Sequence, residues 1–180
     1  MKTIIAGVLA FFIHAAVYSQ QFKPVDEGSE VKFKIKNFGV TIGGTFTGLR
    51  GSIFFHADSL DAASFDVTVD AKTINTGIDQ RDAHLRKAEF FDAEKYPDLH
   101  FVSTKITSST NKNYLFLFGK LTIKDVTKEI SFPFKATPSG DDYAFEGKFT
   151  INRRDYNVGA GSITMSDNLT VYLNVIAKRQ

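Results

Sequence analysis

At 180 residues the chain is long enough for one domain with a sizeable core and short for two. Its 22 lysines and arginines against 20 acids leave a net charge of +2, with bases and acids interspersed, so neither nucleic acid nor an anionic membrane surface is advertised as a partner. The absence of cysteine excludes a disulfide, a thiolate metal site, a thiol nucleophile and a cysteine-borne lipid anchor, so stability must come from packing.

The first nineteen residues, MKTIIAGVLAFFIHAAVYS, combine Lys2, an apolar run from Ile4 to Val17, and the small Ser19 before Gln20. This pattern reads as a cleaved secretory signal over residues 1–19, its apolar run short and weakly flanked for a membrane span, with an N-terminal anchor helix left in place as the alternative. Residues 20–180 then form a single exported domain, periplasmic or secreted. Loss of Lys2 takes the formal count to 21 basic against 20 acidic residues, a net of +1.

From there alternation dominates, the mark of strands with one buried face. In SEVKFKIKNF, Val31, Phe33 and Ile35 share one face while Lys32, Lys34 and Lys36 share the other. Residues 44–58 read as one long, curved second strand, with Gly48 and Gly51 as its bends. Phe65, Val67, Val69 and Ala71 phase a third, and a fourth runs from near Leu99 to about Thr107. Residues 113–123 are apolar on both faces, so their outer face needs cover as well. Ile130, Phe132 and Phe134 phase a sixth, in which Pro133 predicts a bulge or an irregular edge. Phe145, Phe149 and Ile151 mark a seventh; Leu169, Val171, Leu173 and Val175 mark an eighth. Eight antiparallel strands of this length most economically close into an all-β, up-and-down barrel, with a two-sheet sandwich as the alternative.

Residues 78–92 break the alternation. Asp79 is placed to cap a helix, Asp82 adds negative charge to its first turn, and Arg86 and Lys87 fall near its end. Arg81, His84, Leu85 and Ala88 share one face of it. Tyr96-Pro97 then forces extended backbone and starts the fourth strand. One short helix between strands three and four either crosses a barrel mouth or lies along the wall.

The Arg81, Asp82 and His84 group would serve catalysis if Asp82 oriented the imidazole as a base. No activated serine or cysteine accompanies it, and His56 and His100 lie in strands without metal-ligand spacing. No catalytic residue, metal site or cofactor is therefore assigned. The box reads as a capped helix with a buried ion pair, and Asn152-Arg153-Arg154-Asp155 as a strand end able to hold an anionic group or to pair internally.

Eighteen phenylalanines and no tryptophan supply much apolar surface with few polar handles. If such rings do not fill the bore, the barrel suits a greasy chain. The candidate lining residues are Phe33, Phe38, Phe46, Phe54 and Phe116, with Phe118, Phe132, Phe134, Phe149 and Leu173. Arg81, His84 and Arg153 are the candidates for the mouth and a head group.

The stretches SEVKFKIKNFG, GTFTGLRGSIFF, TINTGIDQRDAHLRKAEFFDAEKYPDLHF, GKLTIKDVTKEISFPF and FTINRRDYNVG make the chain resemble the YceI-like family of exported lipid-binding or polyisoprenoid-binding proteins. The resemblance covers about Ser29 to about Ala177. It implies an eight-stranded, lipocalin-like barrel with an elongated apolar pocket for an isoprenoid, quinone-like or fatty-chain ligand. Arg81, Asp82, His84 and Leu85 match the family's Arg-Asp-x-His-Leu box, Phe90 and Phe91 its aromatic pair, and Asn152 and Arg153 its Asn-Arg element. The chain departs from the family at Asn37, where His is frequent, at Asp125 and at Asn157.

The reading is thus a non-enzymatic carrier or reservoir for an apolar lipid, with transient membrane contact and room for a homodimer. Its alternatives are an enzyme acting on a lipid through His84 and Asp82, and a ligand-free interaction or stress-response barrel. Arg81 to Phe91 is expected to close or brace the barrel, with Phe90 and Phe91 in apolar packing and His84 near a pocket mouth.

Overall fold

A computed structural model describes residues 20–180, so the leader pattern of residues 1–19 lies outside the described residues. Nine strand segments run β1 (Gln20–Asn37), β2 (Val40–Phe46), β3 (Arg50–Phe55), β4 (Ser64–Asp70), β5 (Asp98–Ser108), β6 (Leu115–Ile123), β7 (Val126–Ser139), β8 (Asp142–Asn152) and β9 (Met165–Arg179). All neighbours pair antiparallel, and the β1–β9 pairing closes the sheet. Because β2 and β3 both pair with β1, over its second and first parts respectively, the nine segments occupy eight positions of a closed barrel.

The expected single curved strand is therefore two strands, interrupted at Thr47, Gly48 and Leu49. Gly48 holds a positive φ of 77°, and the Asp26 carboxylate accepts hydrogen bonds from the N–H groups of Gly48 and Leu49 at 3.0 and 2.9 Å. That side-chain splice replaces the missing ladder bonds, while β1 absorbs the mismatch as a register shift between Val25 and Glu30. Pro133 sits where the β7–β8 ladder starts, one residue before the Phe134↔Gly147 pair, so its missing N–H removes no bond on that side.

The helix is shorter than its charge pattern suggests. α1 spans Asp79–Leu85, with Ile78 at the N-cap position and no side-chain cap, so Asp79 is the first helical residue and not the cap. Residues 86–96 continue as turns, with Asp92 at a φ of 48°. Asn75, just upstream, exchanges two backbone hydrogen bonds with Thr45 of β2. The segment carrying α1 thus stands beside β2, where β4 has turned away to pair with β3.

The core divides along the barrel. At one end Phe22, Phe55, Phe65, Phe134, Tyr143 and Phe145 form a cluster of edge-to-face and stacked rings, of which Phe65, Phe134 and Phe145 face the bore. At the other, Phe90 and Phe91 pack against Leu121, Ile123, Tyr156 and Val158, and Phe91 meets Phe46 edge-on at 5.5 Å. The aromatic pair braces the barrel, as expected. The outer face of β6 lacks the expected cover at Phe118, which is 37% exposed; just before the strand, the Lys135 ammonium stands 5.0 Å from the centre of the Tyr114 ring.

Candidate functional site

Between these two apolar ends lies a cavity of about 250 Å³. That is on the order of twenty times the ~10–15 Å³ that admits one water molecule, so the bore is not filled. Its walls are inward residues of every strand, including Phe33, Ile35, Phe101, Leu121 and Leu173. Residues 31–37 of β1 flank it over six residue steps, about 20 Å of strand, which makes the space long and narrow.

Three glycines keep so phenylalanine-rich a bore open. A Cβ on Gly44 would stand 2.4 Å from Cζ of Phe33; on Gly119, 2.4 Å from Cζ of Phe101; on Gly147, 2.9 Å from Cε2 of Phe132. The edge of each ring occupies the space that a Cβ on a neighbouring strand's glycine would take. Phenylalanine thus lines this tube where it would otherwise block it.

Of the lining candidates, Phe33, Phe46, Phe132, Phe134, Phe149 and Leu173 face the cavity. Phe38, Phe54, Phe116 and Phe118 do not. Phe54 lies between inward Ile53 and Phe55 and therefore points out, and Phe116 and Phe118 alternate with inward Leu117, Gly119 and Leu121. Phe38 is in the β1–β2 turn, 76% exposed at a φ of 50°. The polar residues Arg50 and Ser52, and Lys120, share the phase of these outward rings and are the sequence signal that would have assigned them. Several residues not singled out line the space: Val31, Ile35, Asn37, Ile42, Leu169 and Val171. Their period-two phase with Phe33, Phe46 and Leu173 on their own strands was the available signal.

Arg81 and Arg153 reach the cavity, and both are committed. The Arg153 residue is 3% exposed; its Nε donates to the Ser166 carbonyl, its Nη1 to the carbonyls of Val158 and Ala160, and its Nη2 to Asp167 at 2.7 Å. Burial pushes its pKa down, against the opposing pull of Asp167, yet a guanidinium stays protonated. It clasps the loop that leads into β9. Arg81 donates through Nε to the Thr76 hydroxyl and through Nη2 to the Thr76 carbonyl. The 4% exposed Asp82 accepts from the N–H and hydroxyl of Thr76, so the expected ion pair is instead relayed through Thr76. Burial, with Asp155 adding to it, pushes the neighbouring Tyr156 phenol up to about 12, which keeps it neutral.

His84 lies outside the cavity lining. Its Nε2 is 2.8 Å from Glu89 in an exposed pair, and its ring meets Phe90 edge-on. A backbone hydrogen bond and then His84 itself hold the Glu89 carboxyl below its usual range. His84 and Asp82 thus engage different partners, Glu89 and Thr76, and do not form a dyad.

A closed antiparallel barrel, hollow with hydrocarbon walls, defines a lipocalin-like β-barrel protein. Residues 22–177 match the YceI-like domain, and the chain belongs to that family. It is 27% identical over 190 residues to Protein YceI of Salmonella arizonae, an alignment covering 99% of this chain and 98% of that one. The crystal structure of BcnA from Burkholderia cenocepacia superposes with a TM-score of 0.80 at 26% identity, over 86% of this chain and 99% of that one. A polyisoprenoid binding domain from Saccharophagus degradans, implicated in plant cell wall breakdown, shares the fold at a TM-score of 0.71 and 15% identity, over 90% of this chain and 99% of that domain.

Proposed function

We infer that the protein is an exported carrier or reservoir that holds one long apolar lipid lengthwise in its barrel. The observation that carries this reading is the open, ring-lined bore. Hydrocarbon walls offer water few partners, and each buried methylene contributes roughly 0.8 kcal/mol, so a five-carbon isoprene unit supplies about 3 to 4 kcal/mol before ordering costs. A few such units give tight binding without a charged contact. Export is supported by the leader pattern of residues 1–19.

Binding is favoured over catalysis because His84 and Asp82 are engaged apart. Mass spectrometry of an organic extract of the native protein is expected to reveal a stoichiometric isoprenoid, quinone-like or fatty-chain lipid, and His84→Ala is expected to retain it unchanged. An empty native protein that also refuses prenols, quinones and fatty amides would end the reading, and turnover lost in His84→Ala would replace it with an enzyme.

Loading at a membrane is supported by three apolar side chains exposed at the hairpin end of the barrel: Phe38, Val40 and Ile163. The Phe38 N–H donates to the Thr164 carbonyl at 2.9 Å, which joins the hairpin tip to the loop bearing Ile163. A bulky residue rarely adopts the left-handed conformation of Phe38, and here it displays the ring to solvent. The double variant Phe38→Ser, Ile163→Ser is expected to float with phospholipid vesicles about tenfold more weakly while keeping preloaded lipid. Unaltered flotation would remove the membrane step and leave the carrier.

A further inference from the structure

One edge of β2 pairs with β1 without a register shift, from Asn37↔Val40 to Val31↔Phe46. Its other edge meets the chain at a single bridge among the described residues, Thr45 with Asn75. That bridge uses both the N–H and the C=O of Thr45, so alternation along a regular strand turns the same groups of Gly43 and Thr41 to the same side. No ladder partner reaches them there among the described residues. A Cβ on Gly43 would meet nothing nearer than the Phe33 carbonyl at 3.8 Å, so the face above it is open as well.

Open edges are ordinarily blunted by charge, proline or a bulge. β2, VTIGGTF, has none of these, and of the nine strands it alone carries no charged residue. Beside its outward face, Lys32, Lys34 and Lys36 of β1 stand opposite Thr45, Gly43 and Thr41. Lys32 is engaged by Glu30, and Lys34 stands over the Tyr172 ring. Lys36 is exposed and enters no ion pair among the described residues. In the inward phase stand Ile42, which lines the cavity, and Val40, which is 61% exposed.

We propose that the free edge of β2 takes up an extended segment of a partner protein as an added antiparallel strand, one whose residues alternate acidic and apolar. Residues opposite Thr41 and Gly43 exchange four ladder bonds with them and turn acidic side chains outward. Those acids stand about 10 Å from the lysine row, two strand spacings, and Gly43 puts no side chain between. The residue opposite Ile42 turns inward and lays its apolar side chain beside Val40. A second copy of β2 offers a strand but no acid, and brings three lysines of its own. The proposal is independent of what the bore holds.

The test titrates the full chain with a capped, fluorescein-labelled heptapeptide, Glu-Val-Glu-Val-Glu-Val-Glu. Its Lys-Val counterpart is expected to bind about tenfold more weakly at low salt, with the gap closing at high salt. N-methylation of every Glu is expected to abolish binding, because those N–H groups face β2. N-methylation of every Val, whose N–H faces away, should keep affinity within about threefold. Hydrogen exchange at the Thr41 and Gly43 amides is expected to slow about tenfold on saturation. Thr41→Pro removes a free donor and no bond to β1, so it should weaken the peptide at least tenfold while melting near the parent; should that variant not fold, the methylated peptides decide. Equal affinity for the Glu and Lys peptides, binding that survives methylation of Glu, unchanged exchange at both amides, or no binding would overturn the proposal. Self-association abolished by Thr41→Pro, with the peptide left unbound, would overturn it in favour of a second copy.

Discussion

Replacing Gly44 with valine is expected to lower lipid affinity by about 100-fold while the barrel still folds. The Cβ would stand 2.4 Å from Phe33 Cζ and 3.0 Å from Thr76 Cγ2, and both neighbours are side chains that can move. The backbone of Gly44 is not left-handed, so valine adds no φ strain there. The Phe33 ring must leave its niche, and the free volume available to it is the bore. Displacing three or four methylenes' worth of ligand contact at roughly 0.8 kcal/mol each gives the predicted loss, and overpacking destabilises the empty protein by about 1–3 kcal/mol. Adding Phe33→Ala should restore most of the binding, because it removes the ring that valine displaced. Titration with a fluorescent prenol measures both. Parental affinity in Gly44→Val, or no recovery in the double variant, would show that the seat of the Phe33 ring on Gly44 is not what keeps the channel open.

Replacing Arg153 with methionine is expected to destabilise the protein by about 2–4 kcal/mol. Three backbone carbonyls and the Asp167 carboxylate lose their donor at once, and the Val158 carbonyl bond is buried. For a domain of this size that corresponds to a fall in Tm of roughly 5–15 °C. Arg153→Lys should do nearly as badly, since an ammonium on a flexible stem cannot reproduce a fork spread over four acceptors. Asp167→Asn should be mild, at about 1 kcal/mol or less, because that side chain is 42% exposed and its amide oxygen can still accept. Calorimetry across the three variants separates a clasp from a simple ion pair. A methionine variant melting within about 2 °C of the parent would exclude the clasp.

The two substitutions probe opposite roles at one end of the barrel. Gly44 acts by the absence of a side chain, which lets an aromatic ring lie against the sheet. Arg153 acts by saturation, tying the loop before β9 to the end of β8 and leaving no charge free for a ligand.

What the sequence determined by itself was the set of strands and most of their phases. Alternation such as Val31, Phe33 and Ile35 against Lys32, Lys34 and Lys36 specifies which face is buried, because the side-chain period of a strand is two. The aromatic brace at Phe90 and Phe91 and the turn at Tyr96-Pro97 were legible for similarly local reasons. Where both faces are apolar the period carries no phase, and so Phe54, Phe116 and Phe118 could be placed outward only by the polar neighbours in register with them. The break between β2 and β3 depends on Asp26, more than twenty residues away, and the state of Arg153 depends on carbonyls of a loop that follows it. Whether the bore is open or plugged was settled only by tertiary structure. It depends on which glycine lies across from which ring, as at Phe33↔Gly44, and strand register is a relation between segments that no single segment contains.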